Sequence, residues 1–171
     1  ITYAYVNGVG LDADTVILLI KAALGKKTYA EFMLEVNKVL HIDPVTDIAD
    51  HWGHDYIIEA YYLGIVVGYD DRTFRPDEHV SRAEFVTMLW RAAGEPKVEG
   101  ELDFADAESF EDWYVDAVLW GVETGVIVGF EDHTFRPDDE ISRAQMATFV
   151  YRYMKDVKGY YFGYLSPVTF K

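Results

Sequence analysis

GIVVGYDDRTFRP at residues 64–76 returns as GVIVGFEDHTFRP at residues 125–137. The match continues without gaps through Ser81-Arg82-Ala83-Glu84 and Ser142-Arg143-Ala144-Gln145, as far as Arg91 and Arg152. About 14 of 30 aligned residues are identical at a constant offset of 61, so the chain contains a duplicated structural unit. Upstream, Trp52 and Trp113 keep that offset. Ile48-Ala49-Asp50 and Phe104-Ala105-Asp106 align at an offset of 56, which implies about five extra residues around Ala107 to Asp112.

Each copy predicts helix, loop, helix. Trp52, Tyr56, Ile57, Ala60, Tyr61 and Gly64 fall at helical spacing, as do Trp113, Ala117, Val118 and Gly121. Gly64 and Gly125 suit helix ends. Gly68-Tyr69-Asp70-Asp71 and Gly129-Phe130-Glu131-Asp132 carry turn chemistry, with positive φ expected at Gly68 and Gly129. Short extended pieces, Thr73-Phe74-Arg75 and Thr134-Phe135-Arg136, then lead to Pro76 and Pro137. Second helices start at Ser81 and Ser142, with apolar stripes Phe85, Met88, Leu89, Ala92 and Met146, Phe149, Val150, Tyr153. The expected fold class is mainly α: tandem helix-loop-helix repeats packed as a pseudo-symmetric helical bundle.

Composition bounds the function. The chain has 171 residues, half of them hydrophobic, which is enough to bury a core. Thirty acidic residues against fifteen basic ones give a net charge of -15, which excludes a general nucleic-acid binder and disfavours an anionic membrane surface. With no cysteine, disulfides, thiol catalysis and Cys-based zinc sites are impossible. The longest apolar run, Val16 to Ile20, is too short to span a bilayer, so no membrane insertion is expected. The opening Ile1-Thr2-Tyr3, without an initiator Met or signal peptide, suits a processed product or a fragment.

Ser81 with Glu84, and Ser142 with Gln145, read as capping boxes. That accounts for four residues and leaves Arg82 and Arg143 unexplained. A cation in the first helical turn opposes the helix dipole, at about 0.3–1 kcal/mol. An anion held jointly by helix N–H groups and the guanidinium would reverse the sign. That anion is either a carboxylate of the protein or a ligand. Trp52 and Trp113 either pack or stack on sugar.

The array I/F-A-D, Trp, G-I/V-x-V-G-Y/F, T-F-R-P and S-R-A-E/Q closely resembles the S-layer homology module, over two full copies. The resemblance implies a non-catalytic anchor on the bacterial cell surface, extracellular and without cofactor. In that family three modules commonly form a pseudo-threefold helical bundle. Its grooves bind a secondary cell-wall polysaccharide, whose sugar often bears a pyruvyl ketal and hence a carboxylate. Carried over by motif, Arg82 and Arg143 would meet the glycan, Gly68 and Gly129 would line grooves, and Trp52 and Trp113 would be the early tryptophans. Ser stands where the family usually has Thr, and Gln145 replaces an acid. The alternative is a structural module of a surface layer or filament, whose arginines pair with acids of sister chains.

The expected organisation is a degenerate copy at 1–43, full repeats at 44–98 and 99–155, and a linker with the start of a further repeat at 156–171. The degenerate copy rests on two echoes. Thr28-Tyr29-Ala30-Glu31-Phe32, continuing through Val36 and Leu40, has Tyr29 in place of the arginine, and Gly10 to Val16 resembles Gly68 to Phe74. Pro167-Val168-Thr169-Phe170 resembles Pro44-Val45-Thr46-Asp47. Tyr5 to Asp14 also resembles a dockerin calcium half-site, but Tyr5 and Val9 stand at ligand positions. His51 and His54 offer i,i+3 metal ligands, against simple solvent exposure. No nucleophile elbow, H-E-x-x-H or phosphate loop is present, so neither catalysis nor a metal is expected.

Overall fold

In a computed structural model, the residues described are the backbone of 4–6 and 9–11, together with 16 and 43–160. The chain divides into two compact units, Ile1–Asp77 and Glu78–Lys171.

The first unit opens on an antiparallel hairpin. β1 (Ala4–Val6) pairs with β2 (Val9–Leu11) in the register Ala4↔Leu11, Tyr5↔Gly10, Val6↔Val9. Asn7-Gly8 between them is a strong hairpin dipeptide that periodicity alone passed over. Tyr5, Val9 and Gly10 of the calcium-loop resemblance, and the first two residues of the Gly10–Val16 echo, lie in this two-stranded ladder. The degenerate-copy helix near Thr28 and the segment at Pro167 lie outside the described residues. α1 (His54–Tyr62) buries Ile58 against Val45 and Ile48, with Phe74 and Tyr61 packed alongside. It ends where Gly64 takes φ +71, as the glycine predicted.

The second unit holds α2 (Arg82–Ala92), α3 (Asp112–Glu123) and α4 (Arg143–Arg152), the last running into one π-helical turn at Tyr153–Val157. α2 packs along α3, so the second helix of repeat one shares a core with repeat two. That core contains Trp120, Phe135, Ile127, Val86, Val118 and Val126, all essentially buried. Gly121 makes the close helix approach possible: a Cβ there would stand 2.9 Å from Ile127 and 3.1 Å from Val86. The chain is mainly α.

The stripes differ between copies. α2 buries Arg82, Ala83, Val86, Thr87 and Leu89, because α3 covers that face. On α4, Phe149 is buried, but Arg143, Ala144, Ala147 and Thr148 are exposed, and Met146 and Val150 are 37% and 40% exposed. Identical helix motifs thus end in different environments, decided by what lies over them.

The loop between helices is built by an aspartate clamp. Asp47 accepts backbone N–H bonds from Phe74 and Arg75, both at 2.7 Å. Asp106 does the same for Phe135 and Arg136 at 2.9 and 2.8 Å. Thr46 N to Arg72 O and Ala105 N to His133 O repeat the pairing. Asp106 therefore corresponds to Asp47 and not to Asp50, and the extra stretch before Trp113 is two residues long, not five. Thr73-Phe74-Arg75 and its counterpart are not extended pieces, since Arg75 and Arg136 have φ of +58 and +57. Two carboxylate-held amides and a side-chain ion pair compensate that unfavourable backbone.

Gly68 and Gly129 are glycines for a different reason from the one expected. Neither has positive φ. A Cβ at Gly68 would lie 2.6 Å from Val45 and 2.9 Å from the Thr73 carbonyl oxygen. At Gly129 it would lie 2.5 Å from the Phe104 ring and 2.8 Å from the Thr134 oxygen. Close approach to neighbouring chain is the constraint.

Candidate functional site

Arg82 opens α2 and is only 2% exposed, one of two buried polar or charged residues in the described core. Ser81 caps its helix: Ser81 Oγ accepts from Glu84 N, and Ser81 N donates to Glu84 Oε2 at 2.7 Å. The backbone N–H groups of Arg82 and Ala83 donate to the carbonyls of Asp139 and Pro137, each at 2.9 Å. The first turn of α2 is therefore fully engaged by its own polypeptide. The expected anion site at a helix N-terminus is not formed there, because these carbonyls already satisfy its donors.

The guanidinium leaves the helix end instead. Nε donates to the Phe135 carbonyl at 2.8 Å. Its carbon lies 4.6, 4.9 and 5.5 Å from the ring centres of Phe130, Phe135 and Phe149. Three aromatic rings around one guanidinium hold the charge by cation–π attraction and fix its plane. Burial pushes its pKa below the ordinary arginine value; the carboxylate of Asp139 opposes this, the Arg136 charge reinforces it, and Asp106 opposes it again. It remains a cation. The terminal nitrogens of Arg82 make no hydrogen bond among the described residues. No buried side-chain nitrogen or oxygen there lacks a partner, so these nitrogens are not sealed off.

Arg82 lines a pocket of about 260 Å³ together with Gly129, Phe130, Gln145, Thr148 and Arg152 among others. That is below the roughly 300–1,000 Å³ of drug-sized sites, and suits one small group of a larger ligand. Gln145, Thr148 and Arg152 stand at i, i+3 and i+7 and form one stripe of α4. Arg143 lies off that stripe, is exposed, and makes no ion pair among the described residues. Its helix has the same cap, with Ser142 Oγ accepting from Gln145 N and Gln145 Oε1 accepting from Ser142 N at 2.9 Å.

The structure thus brings Arg82 and Gly129 together, beside the capping Gln145, and leaves the other glycan-binding candidates elsewhere. Gly68 sits in the loop of the first unit. Trp52 is 85% exposed, beside His51. Trp113 is 47% exposed, donates Nε1–H to Glu111 Oε2 at 3.1 Å, and meets Tyr114 edge-on. Neither tryptophan lines the pocket. Arg152 does, and sequence reading placed it only at the end of the repeat match. The signal was present as a polar stripe three and seven residues after Gln145.

His51 and His54 are not merely solvent-exposed. His54 bridges Asp43 at 3.0 Å and Asp55 at 2.8 Å, while His51 Nδ1 accepts from Gly53 N and Nε2 faces Asp77 at 3.3 Å. Among the described residues no cluster of His, Asp and Glu is arranged for a metal, and no helix is long and apolar enough to cross a membrane. The acidic turns are occupied internally. Asp71 and Asp132 bind Thr73 and Thr134 and pair with Arg75 and Arg136 at 3.1 and 2.7 Å.

With the aspartate clamp, paired caps and Gly129 turn in place, the S-layer homology domain model matches residues 45–86 and 103–147, just over half of the sequence. The chain belongs to the S-layer homology domain family. It is similar to Cell surface glycoprotein 1 of Acetivibrio thermocellus, 32% identical over 94 residues, which is 54% of this chain and 4% of that protein. An S-layer protein of Bacillus thuringiensis subsp. finitimus is 34% identical over 112 residues, covering 64% of this chain and 13% of its own length. An amylopullulanase of Thermoanaerobacterium thermosulfurigenes is 33% identical over 106 residues, 62% of this chain and 6% of the relative. The chain spans a small fraction of each of these relatives. The S-layer homology repeats are the shared part, whatever the rest of each relative does.

Proposed function

We propose that this chain is a non-catalytic module that holds a larger protein on the bacterial cell wall by binding an anionic secondary wall polysaccharide. Membership of the S-layer homology family, and relatives named as cell-surface and S-layer proteins, support anchoring at the cell surface. The observation that carries the ligand is Arg82, a buried cation that lines a pocket and makes no ion pair with a carboxylate among the described residues. A ketal-linked pyruvate supplies a compact planar carboxylate of the shape that a guanidinium binds bidentately.

The geometry also reconciles binding with a net charge of -15. Long-range repulsion between two polyanions is screened within about 10 Å at ordinary salt, whereas a desolvated pair in a pocket is screened far less. The test is retention on purified wall polysaccharide by wild type, Arg82→Met and Arg143→Met. Methionine keeps much of the apolar stem of Arg82 among its three rings. Arg82→Met is expected to lose retention while keeping its helical spectrum, and Arg143→Met to keep it. Full retention by folded Arg82→Met removes the mechanism.

A second reading draws on the outer face of α4, where Arg143 and Tyr151 are exposed beside Met146 and Val150. There the chain would pack against acids and apolar residues of a sister chain. Oligomer size that rises with concentration, and falls on Arg143→Glu, supports it; a monomer throughout excludes it.

A further inference from the structure

The pocket that receives Arg82 is unlike the rest of the molecule in charge. Acidic residues outnumber basic ones two to one along the sequence, yet the lining contains two arginines and no aspartate or glutamate. Arg152, the last residue of α4, is half-buried, and its side chain makes no hydrogen bond or ion pair among the described residues. One cation would satisfy one carboxylate. A second cation on the same lining, with no carboxylate partner of its own among the described residues, can take a further negative charge of the ligand.

Position 145 points the same way. Its counterpart in the first copy is Glu84, and both side chains cap their helices alike, Glu84 Oε2 accepting from Ser81 N and Gln145 Oε1 from Ser142 N. Capping therefore does not require the amide, since the carboxylate serves equally well or better beside a helix N-terminus. Gln145 differs in lining the Arg82 pocket, where a glutamate would place a negative charge beside the two guanidinium groups. The amide keeps the cap and leaves the pocket purely cationic.

We infer that Arg152 is a second anion-binding residue of this pocket, and that Gln145 keeps the pocket free of carboxylate. Its ligand is then a saccharide unit carrying two negative charges, one facing Arg82 and the other Arg152. The inference rests on the reading of the Arg82 pocket as a glycan-carboxylate site, and deepens it to a substrate class.

Titration with two synthetic probes separates the two claims. One is a methyl hexoside bearing a single pyruvyl ketal. The other is the same pyruvylated hexoside with a sulfate monoester, which adds a single charge, on a neighbouring hydroxyl. Wild type should bind the doubly charged probe at least about tenfold more tightly, the worth of one added charge-assisted hydrogen bond. Arg152→Gln should bring the two affinities within about threefold of each other, by weakening the doubly charged probe alone. Gln145→Glu should keep its helix cap, weaken both probes, and weaken the doubly charged one more. Equal affinity of wild type for both probes, or a preference unchanged by Arg152→Gln, overturns the inference while leaving Arg82 binding intact. Failure of Arg82→Met to weaken the singly charged probe overturns the underlying reading instead.

Discussion

Replacing Asp106 by alanine should damage both the fold of the second unit and its pocket. The carboxylate accepts two backbone N–H bonds, from Phe135 at 2.9 Å and from Arg136 at 2.8 Å. Hydrogen bonds to a charged acceptor contribute about 1.5–3 kcal/mol each, and the solvent-exposed Arg136 bond belongs at the low end. The combined loss is about 3–4.5 kcal/mol. For a chain of this size that lowers Tm by roughly 6–18 °C. The functional consequence follows from Phe135, whose carbonyl holds Arg82 Nε at 2.8 Å. When the clamp is released that carbonyl is no longer fixed, and the guanidinium loses its aim. Thermal unfolding followed by circular dichroism, with amide exchange at Phe135 and Arg136, measures the first effect; retention on wall polysaccharide measures the second. Asp47→Ala is the internal control. It removes the equivalent clamp on Phe74 and Arg75 and should cost comparable stability, but leaves Phe135 and Arg82 untouched. If Asp106→Ala melts within a degree of wild type, or if Asp47→Ala abolishes binding equally, the link from clamp to pocket is wrong.

Other perturbations have equally definite outcomes. Thr73 and Arg75 hold the Asp71 carboxyl at about 2, and Thr134 and Arg136 do the same for Asp132; burial pushes Asp47 up, but the Arg75 and Phe74 amides outweigh it and lower its pKa. Because these pKa values are depressed on folding, their contribution is present above the unfolded value near 3.8 and is lost as pH falls toward about 2. Tm measured against pH should fall over that interval. Replacing Asp71 and Asp132 by asparagine should flatten the fall. His54 works in the opposite sense: bonds to Asp55 and Asp43 raise its pKa, so its contribution is complete below about 6.5 and is lost as pH rises through the raised value. His54→Gln should remove that alkaline component from the same curve. Gly129→Ala forces a Cβ into the Phe104 ring and the Thr134 carbonyl, and should destabilise by about 1–3 kcal/mol in urea titration while lowering glycan affinity.

Local chemistry was legible in the sequence wherever it acts over a few residues. The Ser81–Glu84 and Ser142–Gln145 boxes close as the spacing indicates, and Gly64 and Gly125 end their helices with φ of +71. What sequence could not give was the fate of the two matching arginines. Arg82 is buried under a neighbouring repeat's loop and rings, while Arg143, in the same motif, lies exposed. Tertiary cover makes that difference, and no local pattern encodes it. Asp47 and Asp106 escaped for another reason. Ile48-Ala49-Asp50 imitates Phe104-Ala105-Asp106 in residue type, whereas the true equivalence is set by which carboxylate reaches the backbone N–H groups 27 to 30 residues later. Gly68 and Gly129 were flagged as special, but their constraint is contact with distant chain, which turn statistics do not contain.

Affinity of the intact chain for purified wall polysaccharide, before and after ketal-linked pyruvate is stripped from it, reaches the central point most directly. Binding should fall sharply on stripping for wild type, and Arg82→Met should bind both preparations equally weakly. Undiminished binding of wild type to the stripped polymer would mean that the cation at Arg82 meets no pyruvyl carboxylate.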